Sequence, residues 1–134
     1  LEIRASLEGL GASLAAERRN DEDIKNLEEL EVEFEEAVRT QNIDMLLKKD
    51  IEFHECIFKA ANNKKLEKMI NTLWEQVQRF RITYVSDSNA SLSLIDEHQS
   101  ILNAIKEGNI ADSKKFAIKH IEKAEQFMLE HCTK

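Results

Sequence analysis

The chain has 134 residues, of which 42% are hydrophobic and 34% are charged, and it contains three glycines and no proline. This length fits one domain with a substantial core, and so few turn-forming residues favour helices over a sandwich or barrel of many tight turns. The formal net charge of −7 argues against a domain that binds nucleic acid through its own surface, because such domains usually present a basic face.

Cysteine usage and hydropathy indicate a cytoplasmic protein. Cys56 and Cys132 are not spaced as a metal-binding Cys-x-x-Cys pair, so reduced thiols are the simplest interpretation. No stretch of eighteen apolar residues occurs, and neither a membrane span nor a membrane partner is expected. No signal peptide is recognised, and the absence of an initiator Met predicts a piece cut from a longer protein.

The spacing of hydrophobic residues predicts six helices, of which the first covers about Leu1 to Arg19. Its inward stripe comprises Ile3, Leu7, Leu10 and Leu14. Asn20 or Asp21 can cap the second helix, which runs to about Arg39. A run of glutamates on that helix is expected to form a solvated face; it consists of Glu28, Glu29, Glu31, Glu33, Glu35 and Glu36.

The remaining four helices follow with short breaks. Asn42 can cap the third helix, which ends near Ala61 before the turn-forming pair Asn62-Asn63. The fourth helix covers about 64–85, and residues 86–91 form the only strongly loop-like segment. A fifth helix then runs to about Glu107, and the sixth covers about 110–131 after Gly108-Asn109.

Four polar side chains occupy core-facing positions on three of these helices. Asp50 and His54 share a face of the third helix, while His98 and His120 fall within the apolar stripes of the fifth and sixth. Burying these groups without mutual satisfaction would cost several kcal/mol. A divalent cation such as Zn, Ni, Mn or Fe would remove that cost by using each group as a ligand. The alternative is a metal-free bundle in which the side chains satisfy one another.

Sequence patterns of metalloenzymes are incomplete. His54-Glu55 begins like the zinc-protease motif His-Glu-x-x-His, but Phe58 stands where the second histidine is required. A metal-dependent enzyme that activates water would need a general base, and Glu97 is the only obvious candidate. No catalytic residue is therefore predicted, although the enzyme alternative stays open.

Several blocks of sequence, in order along the chain, are similar to those of a known family. They are Arg4-x-x-Leu7-Glu8, Asp50-x-x-Phe53-His54, Ala60-Ala61-Asn62-Asn63, Glu97-His98-x-x-Ile101 and His120. Together they resemble the FCD domain, the C-terminal effector-binding domain of FadR-subfamily regulators in the GntR superfamily of transcription regulators. The resemblance covers essentially the whole chain, residues 1–134.

The resemblance implies an all-α antiparallel bundle of about six helices, in the shorter VanR-type variant. It implies a divalent metal bound through Asp50, His54, His98 and His120, and a small organic-acid effector whose carboxylate approaches that metal. It also implies a homodimer that binds DNA only through an N-terminal winged helix-turn-helix domain, which these 134 residues do not include.

Two arginines are candidates for further contacts to the effector. Arg81 lies on the inward stripe of the fourth helix, and a guanidinium binds a carboxylate in bidentate fashion. Arg4 is the second candidate because the family places an arginine there. The alternative is that each arginine extends its stem over apolar surface and keeps its head in water. The resulting hypothesis is a ligand-sensing regulator domain, not an enzyme.

Overall fold

Six α-helices make up the fold in the computed structural model, which describes residues 2–131 apart from the side chains of Val77 and Arg79. In chain order they are α1 (Glu2–Arg18), α2 (Asp21–Arg39), α3 (Ile43–Ala61), α4 (Lys64–Ser86), α5 (Ser88–Glu107) and α6 (Ile110–His131). No strand occurs in that range, and the predicted all-α class is confirmed. Nor is any helix there both long enough and apolar enough to cross a membrane. Cys56 is a free thiol, while Cys132 lies outside the described residues.

The helix α1 lies at the centre of the bundle. It packs against α3, α4, α5 and α6, whereas α2 covers α3 and α5 from the other side. Gly11 permits the close approach of α1 to α3, because a Cβ built at this position would lie 2.5 Å from the Phe58 ring. The space between α1 and the helices around it is therefore narrow on this side.

The helix boundaries follow from capping side chains. The side-chain oxygens of Asn20, Asn42 and Asn63 each accept a backbone N–H from the first turn of the following helix. At the other end, Asn62 (φ 52°) and Gly108 (φ 71°) adopt the left-handed conformation that ends α3 and α5. The predicted caps at Asn20 and Asn42 and the predicted turn at Asn62-Asn63 are confirmed.

The predicted loop over residues 86–91 is wrong, because α4 extends to Ser86 and α5 begins at Ser88. The Asp87 carboxylate accepts the Ala90 backbone N–H at 2.9 Å and caps α5. Ser and Asn residues favour turns, but they are equally suited to the first turn of a capped helix. The polar segment therefore continues the helical structure with one intervening residue.

The predicted inward stripe of α1 is also partly wrong. Ile3 and Leu10 are 64% and 42% exposed, whereas Arg4 and Glu8 are buried. The buried face of α1 otherwise consists of small residues, which include Gly11, Ala12 and Ala15. A face of this kind can approach other helices closely and leaves room for a buried ion pair.

Two consecutive arginines at the end of α1 cap two other helices. Arg18 Nη1 donates to the Ala61 carbonyl at 3.0 Å, and Arg19 Nε donates to the Ile105 carbonyl at 2.9 Å. The C-terminal carbonyls of a helix have no partner within the helix and carry partial negative charge. These two contacts therefore fix the C-terminal ends of α3 and α5, the helices that carry Asp50, His54 and His98.

Candidate metal and effector site

His54, His98 and His120 converge at the centre of the bundle from α3, α5 and α6. One donor nitrogen of each lies within 4.8 Å of the other two, and all three side chains are buried. The Nε2 atoms of His54 and His120 are 3.3 Å apart. Asp50 Oδ1 lies 3.1 Å from His98 Nε2 and 3.5 Å from His54 Nε2. The structure thus brings the three predicted histidine ligands together as one group and places the fourth predicted ligand, Asp50, against two of them.

The spacing of these donors fits a divalent metal. Two ligands that each lie about 2.1 Å from one tetrahedral zinc ion are about 3.4 Å from each other. The separations of 3.1, 3.3 and 3.5 Å lie close to that value. Imidazole nitrogens with one carboxylate suit Zn, Ni, Mn and Fe alike, so the donor set fits a metal without selecting one.

A different glutamate holds the second nitrogen of each histidine. His54 Nδ1 lies 3.1 Å from Glu8 Oε1, His98 Nδ1 lies 3.0 Å from Glu31 Oε2, and His120 Nδ1 lies 2.7 Å from Glu97 Oε1. An ionised carboxylate only accepts hydrogen bonds, so each Nδ1 is the donor and each Nε2 faces the centre. Carboxylate–histidine pairs of this type orient metal ligands and raise their basicity.

The sequence interpretation missed two of these three carboxylates. Glu31 was expected in the solvated glutamate face of α2, but it is 3% exposed and lies between Leu27 and Phe34 on the inward stripe. Glu8 follows Arg4 by four residues and binds it inside the bundle at 3.1 Å. Glu97, named only as a base for an enzyme, instead accepts from His120. The spacing of Glu31 from Leu27 and Phe34 was the available signal.

Burial and pairing shift the pKa values of these groups in opposite directions. Burial alone lowers the pKa of His98, but hydrogen bonds to Asp50 and Glu31 outweigh it and raise that pKa to about 9. Burial also disfavours ionisation of Asp50 and Glu8, but pairing with histidine holds both pKa values well below their usual range. Burial lowers the pKa of His120, which the Glu97 hydrogen bond only partly opposes.

Arg81 lies beside this cluster with part of its guanidinium unsatisfied. Its Nε is 3.5 Å from Asp50 Oδ2, and its guanidinium lies 5.5 Å from the centre of the Trp74 ring. Among the described residues, neither Nη1 nor Nη2 has a hydrogen-bond partner, although both are buried. Leaving charged donors buried and unpaired is costly. This arrangement suits an anion that would complete the pairing.

The unsatisfied guanidinium borders a small cavity of about 20 Å³. A cavity of this size holds about one water-sized group. Its wall includes Asp50, His54 and His120 from the histidine cluster and Arg4 from α1. The other lining residues are Phe80, Arg81, Tyr84, Leu94, Ala124 and Met128. The structure therefore brings both predicted effector-binding arginines to one cavity beside the candidate ligands. The fourth histidine, His131, is exposed at the end of α6.

Comparison with known proteins identifies the family. The family model described as the FCD domain matches residues 1–123. The chain belongs to the FCD domain family. FCD domains are effector-binding domains of GntR-family transcription regulators, so the enzyme alternative is not supported.

Curated relatives of this FCD domain include two bacterial regulators. The HTH-type transcriptional regulator LutR of Bacillus subtilis is 28% identical over 133 residues, which cover 96% of this chain and 60% of LutR. The Uxu operon regulator of Haemophilus influenzae is 28% identical over 137 residues, which cover 97% of this chain and 50% of that protein. The chain thus spans only about half to three fifths of the relatives' length.

Solved structures show the same fold. E. coli McbR/YncC superposes with a TM-score of 0.88 at 18% identity, over 96% of this chain and 65% of that one. Streptococcus agalactiae GntR superposes with a TM-score of 0.75 at 24% identity, over 94% and 56%. At these identities the likeness establishes the FCD helical bundle alone.

Proposed function

We propose that this FCD domain is the sensor half of a FadR-subfamily regulator, which binds a divalent metal and a small organic acid and thereby controls DNA binding. The observation that carries the proposal is the buried Arg81 guanidinium. Its two unpartnered nitrogens border a cavity shared with Asp50, His54 and His120. The proposed metal site and the two free Arg81 nitrogens border the same cavity, and both favour a ligand that carries an anionic group.

The metal would be held by Asp50, His54, His98 and His120, and Glu8, Glu31 and Glu97 would orient the three imidazoles. When bound, the metal supplies positive charge and, if octahedral, coordination positions for a carboxylate. The spacing of the Nε2 atoms and the engagement of every Nδ1 by a carboxylate support this part of the proposal. The native metal among Zn, Ni, Mn and Fe stays open.

The organic acid would place its carboxylate against Arg81. A guanidinium offers two parallel N–H donors that match a carboxylate, and Nη1 and Nη2 are the two free positions. Arg4 lines the same cavity, with its Nε already engaged by Glu8. Since the cavity is only about 20 Å³, it admits about one water-sized group, such as one carboxylate oxygen, and a whole acid requires side chains of α4 or α6 to move.

Ligand binding would be transmitted through α1 and α4, which carry Arg4 and Arg81. An acid that binds one arrangement of these helices more tightly shifts the domain toward it. An N-terminal winged helix-turn-helix domain would precede α1 and supply all DNA binding, in a cytoplasmic homodimer.

Metal analysis and a thermal-shift screen of small carboxylates, with and without chelator, test the proposal. We expect a bound divalent ion, and a rise in Tm with an acid that chelation and Arg81→Ala both abolish. Arg39→Ala is the matched control, because Arg39 is an exposed arginine paired with Glu36. Protein that binds no metal at this site would leave the metal-free structural bundle as the correct interpretation. An acid response that survives Arg81→Ala would remove Arg81 from the site.

A further inference from the structure

Glu8 occupies a different position in the network from the other two glutamates that hold histidines. Its Oε1 accepts the His54 Nδ1–H at 3.1 Å, while its Oε2 accepts from Arg4 Nε at 3.1 Å and from Trp74 Nε1 at 3.3 Å. One buried carboxylate therefore joins a candidate metal ligand on α3 to side chains of α1 and α4. The three donors satisfy both oxygens.

The two other glutamates have no such connection. Glu31 accepts from His98 only, and its Oε1 is buried without a partner among the described residues. Glu97 binds His120 and the Ser93 hydroxyl, with Lys123 at 3.9 Å. Among the described contacts of Glu31 and Glu97, none is with Arg4, Trp74 or Arg81. Within the described part of the chain, two carboxylates reach the effector side of the cavity. Asp50, itself a candidate ligand, lies 3.5 Å from Arg81, whereas Glu8 binds the outer nitrogen of His54 and contacts Arg4 and Trp74.

The link extends from Glu8 to Arg81 through Trp74. The indole nitrogen of Trp74 donates to Glu8, and the indole ring packs under the Arg81 guanidinium at 5.5 Å. The same ring lies edge-on to His54, with centroids 6.2 Å apart. A change in the position or charge of His54 therefore acts, through Glu8, on the groups that orient both arginines. Hydrogen bonds in a buried network polarise one another, which favours such transmission.

We propose that Glu8 is a positioning residue that couples metal binding at His54 to acid binding at Arg4 and Arg81. The Glu8 carboxylate fixes the Nδ1–H tautomer of His54 and leaves Nε2 free for the metal. The same carboxylate sets the orientation of Arg4 and of the Trp74 ring beneath Arg81. By thermodynamic linkage, metal and acid then strengthen each other's binding by the same factor. This inference rests on the proposed function, to which it adds the route of communication.

The test compares Glu8→Gln with the matched variant Glu97→Gln. Zinc affinity is measured by competition with a chelating dye, and acetate affinity is measured with and without zinc. Trp74 is the chain's single tryptophan, so its indole N–H gives one unambiguous NMR signal. Both variants are expected to weaken zinc binding by about 10–100-fold, because each removes a carboxylate behind a ligand. Zinc should shift the indole signal in the parent and in Glu97→Gln but not in Glu8→Gln.

The acetate measurement separates positioning from general damage. Zinc should tighten acetate binding in the parent and in Glu97→Gln by the same factor, and this factor should be clearly smaller in Glu8→Gln, where only the contact between Asp50 and Arg81 still joins the two sites. If Glu8→Gln fails to fold, Trp74→Phe keeps an aromatic ring and removes only the indole donor. It should retain zinc affinity within a few-fold and lose part of the coupling.

Coupling equal to the parent's in Glu8→Gln or Trp74→Phe would overturn the proposal, as would equal loss of coupling in Glu97→Gln. If the parent binds zinc and acetate independently, only the proposed role of Glu8 is overturned and the proposed function stands. A parent that binds no zinc would overturn the proposed function as well.

Discussion

His54 and His120 face each other with their Nε2 atoms 3.3 Å apart, while Glu8 and Glu97 hold their Nδ1 atoms from opposite sides. The two rings are stacked with centroids 5.1 Å apart. With each Nδ1–H donated to a glutamate, two neutral rings would point their lone pairs at each other. A proton or a metal ion between them removes that repulsion.

Removing one of these proposed ligands should weaken the binding of a divalent metal. His120→Ala is expected to weaken zinc binding roughly 100-fold or more, since losing a ligand costs at least as much as losing a group behind one. Zinc competition with a chelating dye measures the change. His131→Ala is the control, because His131 is exposed at the end of α6. Equal zinc affinity in His120→Ala and the parent would refute the four-ligand site.

Replacing Arg81 should separate stability from ligand response. In Arg81→Met the two buried nitrogens without partners disappear while the stem is kept, and Asp50 still has His54 and His98 as partners. The ligand-free protein should therefore unfold at similar or slightly higher urea concentration. The stabilisation by a small acid should vanish. Urea unfolding with and without the acid measures both effects. A loss of more than about 2 kcal/mol without ligand would show instead that Arg81 is a structural cation.

The metal-free protein should lose stability as pH rises from 6.5 to 9. Hydrogen bonds to Asp50 and Glu31 raise the pKa of His98 from 6.5 to about 9 in the folded protein. A raised folded pKa stabilises the protein fully below the unfolded value, and this contribution is lost as pH passes through the folded pKa. His54, whose pKa is also raised, changes stability in the same direction.

Chelator-treated protein, unfolded with urea across this pH range, tests the prediction. The free energy of unfolding should fall by a few kcal/mol, and His98→Gln should flatten the slope. A stability that rises with pH in the metal-free parent would show that His98 is neutral in the folded state.

Arg19 should contribute to stability far more than an ordinary surface arginine. Its Nε and Nη2 donate to the Ile105 and Lys106 carbonyls at 2.9 and 3.1 Å, so Arg19→Ala leaves the end of α5 without these partners. A decrease of about 1–2 kcal/mol in the free energy of unfolding is expected. Changing the exposed Arg39, which is paired with Glu36, to Ala should lower the free energy of unfolding much less. Equal effects would mean that the cap contributes nothing.

The sequence itself was sufficient for the helices and for the candidate ligands. Helix periodicity placed Asp50, His54, His98 and His120 on inward faces, and all four are buried. Local signals were equally reliable where the physics is local, as at Asn20 and Asn42, whose side chains bind backbone three residues away. The prediction of a loop at residues 86–91 was wrong because one residue, Asp87, is enough to separate α4 from α5 and to cap the new helix.

Only the tertiary structure decided what surrounds the histidines. Glu8 and His54 are 46 residues apart, and Glu31 and His98 are 67 apart, so no local pattern records either pair. Periodicity tells which face of a helix is apolar, but a buried charge is tolerated only when another helix brings its partner. Arg4 and Glu8 are therefore buried on α1, because other helices supply partners for Glu8, while Ile3 and Leu10 are exposed. The candidate ligands could be predicted from one helix at a time, whereas the carboxylates that bind the histidines become their partners only once the six helices are packed together.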